Sequence, residues 1–341
     1  MGAGGNADEI PDLYMKAIVH ERYGPPEVLH AKQLPQPQPK PNEVLIRIHA
    51  TTVASADRRV RSLDVPLGFG LFSRLFFGIT RPRRAILGAE LAGVVEAIGR
   101  DVTRFAVGDP VFGIDGVRMG GYAQFKCMPQ DGALARKPAN LSFEEAAALA
   151  FGGTTALDFF RRGKLRQGES VLINGASGGV GCAAVQLASD LGAKVTGVCS
   201  AANADLVRSL GASHVIDYTR TDFTRNGKTY DVIVDAVGTA LYSRSKASLT
   251  PDGRLLLVAA TLPQMLHIPW VAMTSRHRIV AGPAAERSED LALLAKLAEV
   301  GRFTPVIDRR YAFDEMADAH RYVDSGHKRG NVVVTVSHDD K

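Results

Sequence analysis

The sequence predicts an α/β protein in which a β-rich part precedes a doubly wound parallel sheet. Three observations carry this prediction. From Ser170 to Ala281, short apolar strands alternate with helical patterns, as a parallel sheet requires when each crossover lays a helix on a sheet face. Residues 1–140 show period-two patterning and turn signals instead. The chain has 341 residues, which at roughly 100–200 residues per domain suggests two domains.

In the β-rich part the candidate strands are Lys16–His20, Val44–Thr52, Leu91–Ile98 and Val111–Ile114. Polar and apolar residues interleave from Val44 to His49, which half-buried strands do. The connector Leu34–Pro41 carries Pro35, Pro37, Pro39 and Pro41, a composition for an extended, semi-rigid link. Val107-Gly108-Asp109-Pro110 signals a turn ahead of a strand. The apolar, aromatic segment Phe69–Ile79 contains Arg74. Three readings of it stay open: a buried helix, a lid over a site, or a patch that touches a membrane.

The pattern changes near Leu141. Ser142 and Glu145 form a capping box and Ala146–Ala150 continue as helix. Strand Val171–Asn174 then leads through Gly175–Gly178 into helix Gly179–Leu191. Strand Lys194–Cys199 precedes a helix around Ala204–Leu210, and strands follow at His214–Asp217, Val232–Asp235, Arg254–Val258 and Ile279–Ala281. In the tail, Ser288 is expected to cap a helix that Gly301 stops. A helix over about Asp314–Asp324 and a strand over Asn331–Val336 follow. The expected divisions are 1–140, 141–286 and 287–341, the last packing back onto the first.

Composition narrows the class. Apolar residues make up 45% and charged residues 23%, which suits a packed core and not a disordered chain. The net charge is +5, yet Lys and Arg are dispersed except at Arg81, Arg83 and Arg84. This reads as a solvated basic surface that favours a phosphorylated cofactor, not as the stripe of a nucleic-acid binder. Three cysteines with no C-x-x-C pair imply reduced thiols, and the cytoplasm is the expected setting. Met1–Asn6 is Gly-rich without an apolar core, so no secretory signal is expected. No apolar run approaches the ~18–20 residues of a spanning helix.

The strongest motif is Asn174-Gly175-Ala176-Ser177-Gly178-Gly179-Val180-Gly181, placed between a strand and a helix. That context is what a dinucleotide fingerprint demands, although Ala176 stands at its first glycine. Gly178 lets a pyrophosphate approach and Gly181 lets the helix pack tightly. The free N–H groups at the helix start face the anion. A glycine-rich turn without ligand is the bland alternative.

The second strand discriminates between the nicotinamide cofactors. An NAD binder places Asp or Glu about 20 residues on, for the ribose 2′-hydroxyl. The count lands on Val198-Cys199-Ser200, with no acid. NADPH is therefore expected over NADH, with Ser200 and Asn203 as polar contacts and Arg208 or Arg220 as sources of charge.

These residues, with their neighbours, resemble the medium-chain dehydrogenase/reductase superfamily, in its zinc-free quinone oxidoreductase branch. The resemblance runs from about Lys16 to Val336. Gly88-Ala89-Glu90-Leu91-Ala92-Gly93-Val94-Val95 is similar to a segment that reads Gly-His-Glu in zinc-dependent members. Phe105–Val111, Ala176–Gly181 and Leu210-Gly211-Ala212 followed by Val215–Tyr218 resemble further family segments. The resemblance implies a GroES-like β-rich catalytic domain, a Rossmann domain and a cleft between them. It also implies that Tyr218 lines the adenosine-phosphate end, that Ser200 meets the 2′-phosphate and that Thr155 lies near the nicotinamide. Arg329 and Asn331 would close over the cofactor, and a homodimer is the family expectation. For Tyr218, a wet tyrosine at a strand end is an equal alternative.

The metal pattern departs from the zinc alcohol dehydrogenases. Where they carry ligands, this chain has Ala54-Ser55-Ala56-Asp57, then Ala89, then Phe151–Gly153, and their four-cysteine loop is missing. Catalytic zinc needs three converging side-chain ligands, so none is expected. A quinone or α,β-unsaturated carbonyl suits such a site, because its developing charge is delocalised and a few donors hold it. Ser55, Asp57 and Glu90 are the catalytic candidates, with structural caps or ion-pair roles as alternatives for the two acids. Two rivals stay open: an NAD(P)-dependent alcohol dehydrogenase or carbonyl reductase, and an NADPH-binding structural, sensor or RNA-associated protein with little turnover.

Overall fold

A computed structural model describes residues 13–338, so Met1–Asn6, on which the expectation about a secretory signal rests, lies outside the described residues. Strands β1 (Tyr14–His20) and β2 (Leu29–Pro35) form an antiparallel pair. A seven-stranded sheet is built on β3 (Glu43–Thr52), whose Val44, Leu45, Ile46, Ile48 and Ala50 are buried while Arg47 and His49 reach outward. Its partners are β4 (Glu90–Ile98), β5 (Pro110–Ile114), β6 (Phe125–Pro129) and β7 (Leu134–Arg136). Two helices, α1 (Ser55–Ser62) and α2 (Gly70–Phe77), lie between β3 and β4 in the chain.

The capping box at Ser142 forms as expected: Ser142 Oγ accepts from Glu145 N and Glu145 Oε2 accepts from Ser142 N. It starts α3 (Phe143–Ala147), and α4 (Ala150–Gly163) follows. The chain then alternates through β8 (Ser170–Asn174), α5 (Gly179–Asp190), β9 (Lys194–Cys199), α6 (Ala204–Ser209) and β10 (His214–Asp217). It continues through β11 (Tyr230–Asp235), α7 (Tyr242–Ser245), β12 (Leu249–Leu257), α8 (Leu262–Thr274) and β13 (Arg278–Ala281). All six strands are parallel, in the order β10-β9-β8-β11-β12-β13. This is the doubly wound arrangement, and its direction reverses between β8 and β11.

The tail holds α9 (Ser288–Glu299), β14 (Ile307–Ala312), α10 (Met316–Asp324) and β15 (Asn331–Thr335). β15 pairs antiparallel with β3 through Val333↔Thr52, and β14 pairs with β15. The chain end therefore completes the first sheet. Among the described residues no helix is long and apolar enough to cross a membrane.

Several elements depart from the sequence expectation. β2 takes up the start of the proline connector, an edge position where proline costs no ladder bond. β6, β7 and β14 are short or polar and left no periodic signal. α8 was hidden by Pro263 and Pro269, yet proline is tolerated in a first turn, and a Thr261–Gln264 capping box opens the helix. Ser288 is the first residue of α9 and not its cap; Arg287 holds the cap position. Within Phe69–Ile79 the helix α2 covers Gly70–Phe77, and no residue of it is buried, so the buried-helix reading fails.

One buried cation ties the tail to the first domain. Arg61 of α1 is 2% exposed. It donates to Asp324 at 2.8 Å, to His320 Nδ1 at 3.1 Å and to the Gly24 carbonyl at 3.1 Å. Asp324 keeps Arg58 at 3.1 Å when Arg61 is removed, but His320 Nδ1 and the Gly24 carbonyl lose their donor, at a cost of about 3 kcal/mol. Arg61→Ala is expected to lower the unfolding free energy by that amount, read in denaturant titration as a lower midpoint at unchanged slope.

Candidate functional site

A cleft of about 760 Å³ opens at the carboxyl ends of β8, β9, β10 and β11. Its volume suits a cofactor, and the strand-order switch point is where open α/β sheets bind one. Asn174, Gly175, Ser177 and Gly178 line one wall, Ser200, Asn203 and Tyr218 another, and Lys328 and Arg329 of the tail a third.

The turn explains its own departure from the fingerprint. The residue at positive φ is Gly175 (+83°), and a Cβ there would stand 2.5 Å from Val237. Ala176 therefore needs no left-handed backbone. Its methyl group packs over Gly197, where a Cβ would come within 3.0 Å of it, and its N–H donates to the Val198 carbonyl at 3.0 Å. A Cβ on Gly181 would lie 2.0 Å from the Gly175 carbonyl, so only glycine allows α5 this close to the turn. α5 starts at Gly178 with no side-chain cap, which leaves first-turn N–H groups for an anion. At Gly178 a Cβ would meet nothing nearer than 3.6 Å; the free space lies on the cleft side.

The tail clamps this turn. Gly330 N donates to the Ser177 carbonyl at 2.8 Å. Asn331 Nδ2 donates to the Ala148 carbonyl at 3.2 Å, and its Oδ1 lies 3.0 Å from where a Cβ on Gly179 would be. Arg329 lines the cleft, but its N–H and guanidinium both go to Asp308. The cation that reasoning from sequence missed is Lys328, whose Nζ donates to the Gly330 carbonyl at 2.6 Å. Burial pulls its pKa down, and the Glu90 carboxylate is first among the groups that hold it up. Nothing in the local pattern separates Lys328 from Arg329; only the backbone path turns one inward.

At the end of β9, Asn203 Nδ2 donates to Ser177 Oγ at 3.1 Å, joining the turn to the second strand. Tyr218 follows β10, and its N–H reaches the Cys199 carbonyl at 3.2 Å. Arg208 pairs with Asp205 at 2.7 Å, and neither Arg208 nor Arg220 lines the cleft. The cation there is Arg244, held by Asp222 at 2.6 Å. Thr155 is buried in α4 and does not line the cleft.

The three catalytic candidates separate. Ser55 is an exposed first residue of α1. Asp57 is fully buried: one oxygen accepts from Ala54 N at 2.8 Å and the other from Gly88 N at 3.2 Å. It thus ties α1 to the approach of β4, and burial pushes its pKa up to about 6 against those N–H groups. Glu90 accepts from the Thr52 hydroxyl and, at 2.6 Å, from Phe151 N at the start of α4. Burial pushes its pKa up to about 7. Behind them, the buried Tyr122 hydroxyl lies 3.1 Å from His320 Nε2, and its pKa is raised by burial and then by the nearby Asp57 charge. Arg61 can only donate, so His320 Nδ1 accepts and Nε2 carries the proton toward Tyr122. Burial, then the Arg61 charge, holds the His320 pKa down to about 3, so the ring is neutral.

Where zinc enzymes carry ligands, the stretch Ala54-Ser55-Ala56-Asp57 offers no Cys or His and both oxygens of Asp57 are taken by backbone N–H groups, while Ala89 and Phe151–Gly153 carry no donor side chain. No group of three or more His, Cys, Asp or Glu able to hold a metal ion occurs among the described residues. Burial pushes the Cys127 and Cys182 thiols up to about 12, away from the thiolate a metal needs. The residues present do not fit a catalytic zinc.

Two family models match the chain: "Alcohol dehydrogenase GroES-like domain" over residues 40–139 and "Zinc-binding dehydrogenase" over residues 210–334. A quinone oxidoreductase of Pseudomonas aeruginosa is 32% identical, over 94% of this chain and 99% of the relative. A 2-methylene-furan-3-one reductase of Solanum lycopersicum is 30% identical, over 94% of this chain and 79% of the relative. The solved structure of a quinone oxidoreductase from Coxiella burnetii superposes with a TM-score of 0.85 at 30% identity, covering 95% of this chain and all of that one.

Two outcomes are expected from this geometry. Gly178→Val fills the free space beside the turn and leaves the fold intact; affinity for NADPH and NADH, followed by fluorescence titration, falls by about a hundredfold or more. Glu90 moves from 4.5 to about 7 on folding. The folded state then keeps a proton that the unfolded chain has lost, so this group's contribution falls as pH rises from 4.5 to about 7 and is flat above. In Glu90→Gln, stability measured across that window loses up to one proton of slope, about 1.4 kcal/mol per pH unit.

Proposed function

We propose, for a chain that belongs to the medium-chain dehydrogenase/reductase superfamily and is an NAD(P)H-dependent oxidoreductase of the quinone oxidoreductase-like kind, that it uses NADPH, works without zinc and reduces a quinone or an α,β-unsaturated carbonyl. The observation that carries this reading is the pairing of an acid-free β9 end at Ser200 with metal positions that hold no Cys or His. A carboxylate at Ser200 would repel a 2′-phosphate; a hydroxyl can donate to it.

When bound, the dinucleotide supplies the hydride. The described residues bind and orient it. Ser177, Gly179, Val180 and Gly181 present N–H groups to the pyrophosphate and Gly178 leaves room for it, with Ala176 supporting the turn from below. Ser200, Asn203 and Tyr218 hold the adenosine end, with Arg244 and Lys328 supplying positive charge. Asn331 and Arg329 fix the tail that closes the site, and Thr155 supports the nicotinamide end from within α4. Asp57 and Glu90 position the backbone around the reacting end, and burial raises the pKa of both, that of Glu90 to about 7. Ser55 has no partner in this scheme. An acceptor that spreads its developing charge over a conjugated system needs no Lewis acid, and water supplies the proton.

β13 leaves one edge of the parallel sheet unpaired, and a homodimer that pairs this edge is part of the proposal. The cytoplasm is the proposed setting, on three cysteines that form no disulfide among the described residues.

Steady-state turnover tests the reading. NADPH oxidation is expected with 1,2-naphthoquinone and simple enones, and not with saturated ketones, before and after chelator treatment. Ser200→Asp is expected to lower kcat/KM for NADPH about tenfold or more while sparing NADH. Turnover of simple alcohols alone, loss of activity on chelation, or tight NADPH binding without turnover on any acceptor would each sink it.

A further inference from the structure

Around α2 the described chain leaves a dense group of apolar side chains uncovered. Leu67, Leu71, Phe72, Leu75, Phe76 and Ile79 are each more than half exposed, and no residue of α2 is buried. The helix stands off the body, held by Phe77, which packs against the first-domain core, and by Gly68, which abuts Leu262 of α8. A two-turn helix of this kind is marginal in water by itself, and so large an apolar face marks a surface with a partner. It is not a lid on the cofactor cleft, since no residue of the segment lines that cleft.

Charge identifies the partner. Residues 65–89 carry Arg74, Arg81, Arg83 and Arg84 and no acidic residue. Arg81, Arg83 and Arg84 are exposed, and none makes an ion pair among the described residues. Glu21 lines the same surface hollow as Arg81 and Arg83 and is engaged by Lys32 at 2.7 Å. Arg74 turns back to the Ile79 carbonyl at 2.8 Å and closes the C-terminal end of the helix.

We propose that α2 and the arginines after it form an interfacial docking surface for an anionic phospholipid bilayer. The leucines and phenylalanines enter the boundary between headgroups and acyl chains, and Arg81, Arg83 and Arg84 meet the phosphates. Such a surface places the protein where an apolar quinone partitions. That link rests on the proposed substrate; the docking itself does not.

Flotation of the full chain with vesicles of phosphatidylcholine, alone or mixed with phosphatidylglycerol, tests this. Binding is expected to the anionic vesicles only and to weaken with added salt. Replacing Arg81, Arg83 and Arg84 together by Gln is expected to weaken it about a hundredfold, at roughly 1 kcal/mol per arginine. Phe72→Ser with Phe76→Ser is expected to abolish it. Both variants should keep the wild-type melting curve and NADPH titration. Equal binding to both vesicle types, no binding, or binding that survives both variants overturns the proposal. So does a wild-type protein that ignores vesicles and loses an oligomer, by light scattering, on Phe72→Ser with Phe76→Ser; that face then joins two copies. Vesicle binding without quinone turnover would count against the substrate alone.

Discussion

Three backbones meet around Gly179, and the rest of the molecule is arranged by that contact. A Cβ at Gly152 in α4 would sit 2.8 Å from the Gly179 carbonyl, and one at Gly179 would sit 3.0 Å from Asn331 of the tail. Gly330 bonds the Ser177 carbonyl from the other side. The helix that leaves the first domain, the turn that starts the parallel sheet's first crossover and the strand that returns to the first sheet are thus held at main-chain distance. Side chains at these points would push them apart, and the cleft between them would lose its third wall.

The same junction explains why the buried acids stand where they do. Glu90 begins β4, yet its carboxylate takes the hydroxyl of Thr52 on β3 and the N–H of Phe151 on α4. It is a joint between the sheet and the helix that carries the chain into the second domain. Asp57 does the same between α1 and the turn before β4. Burial without a cationic partner in contact makes ionisation costly, so both groups favour the protonated form well above the usual carboxylate range. No Cys or His stands at the positions that bring metal ligands together in zinc enzymes, and the carboxylates of Asp57 and Glu90 bond backbone N–H groups of neighbouring elements. From Tyr122 the hydrogen bonds run outward through His320 and Arg61 to Asp324, so the tail is tied to the first domain by polar contacts as well as by strand pairing.

Much of this was legible in the sequence. The alternation of short apolar strands with helices marked the parallel sheet, and all six of its strands appear within a few residues of their expected positions. The Ser142–Glu145 capping box and the return of the last strand were legible for the same reason: each is a local pattern with one physical reading. β2, β6, β7 and β14 were not, because short edge or polar strands owe their shape to their neighbours and not to their own periodicity. α8 was masked by prolines that its first turn and its exposed face tolerate.

The sequence by itself determined the glycine turn, the absence of an acid at Ser200 and the absence of Cys and His at the metal positions, because these depend on residue identity at a known offset from a strand. Only the tertiary structure decided which cation faces the cleft, Lys328 with Arg244 in place of Arg208 or Arg220, and that Ser55 points to solvent while Asp57 and Glu90 are sealed. It also decided that α2 is uncovered and not part of the core. Burial, and therefore charge state, depends on what distant segments bring alongside, and no local pattern encodes that distance.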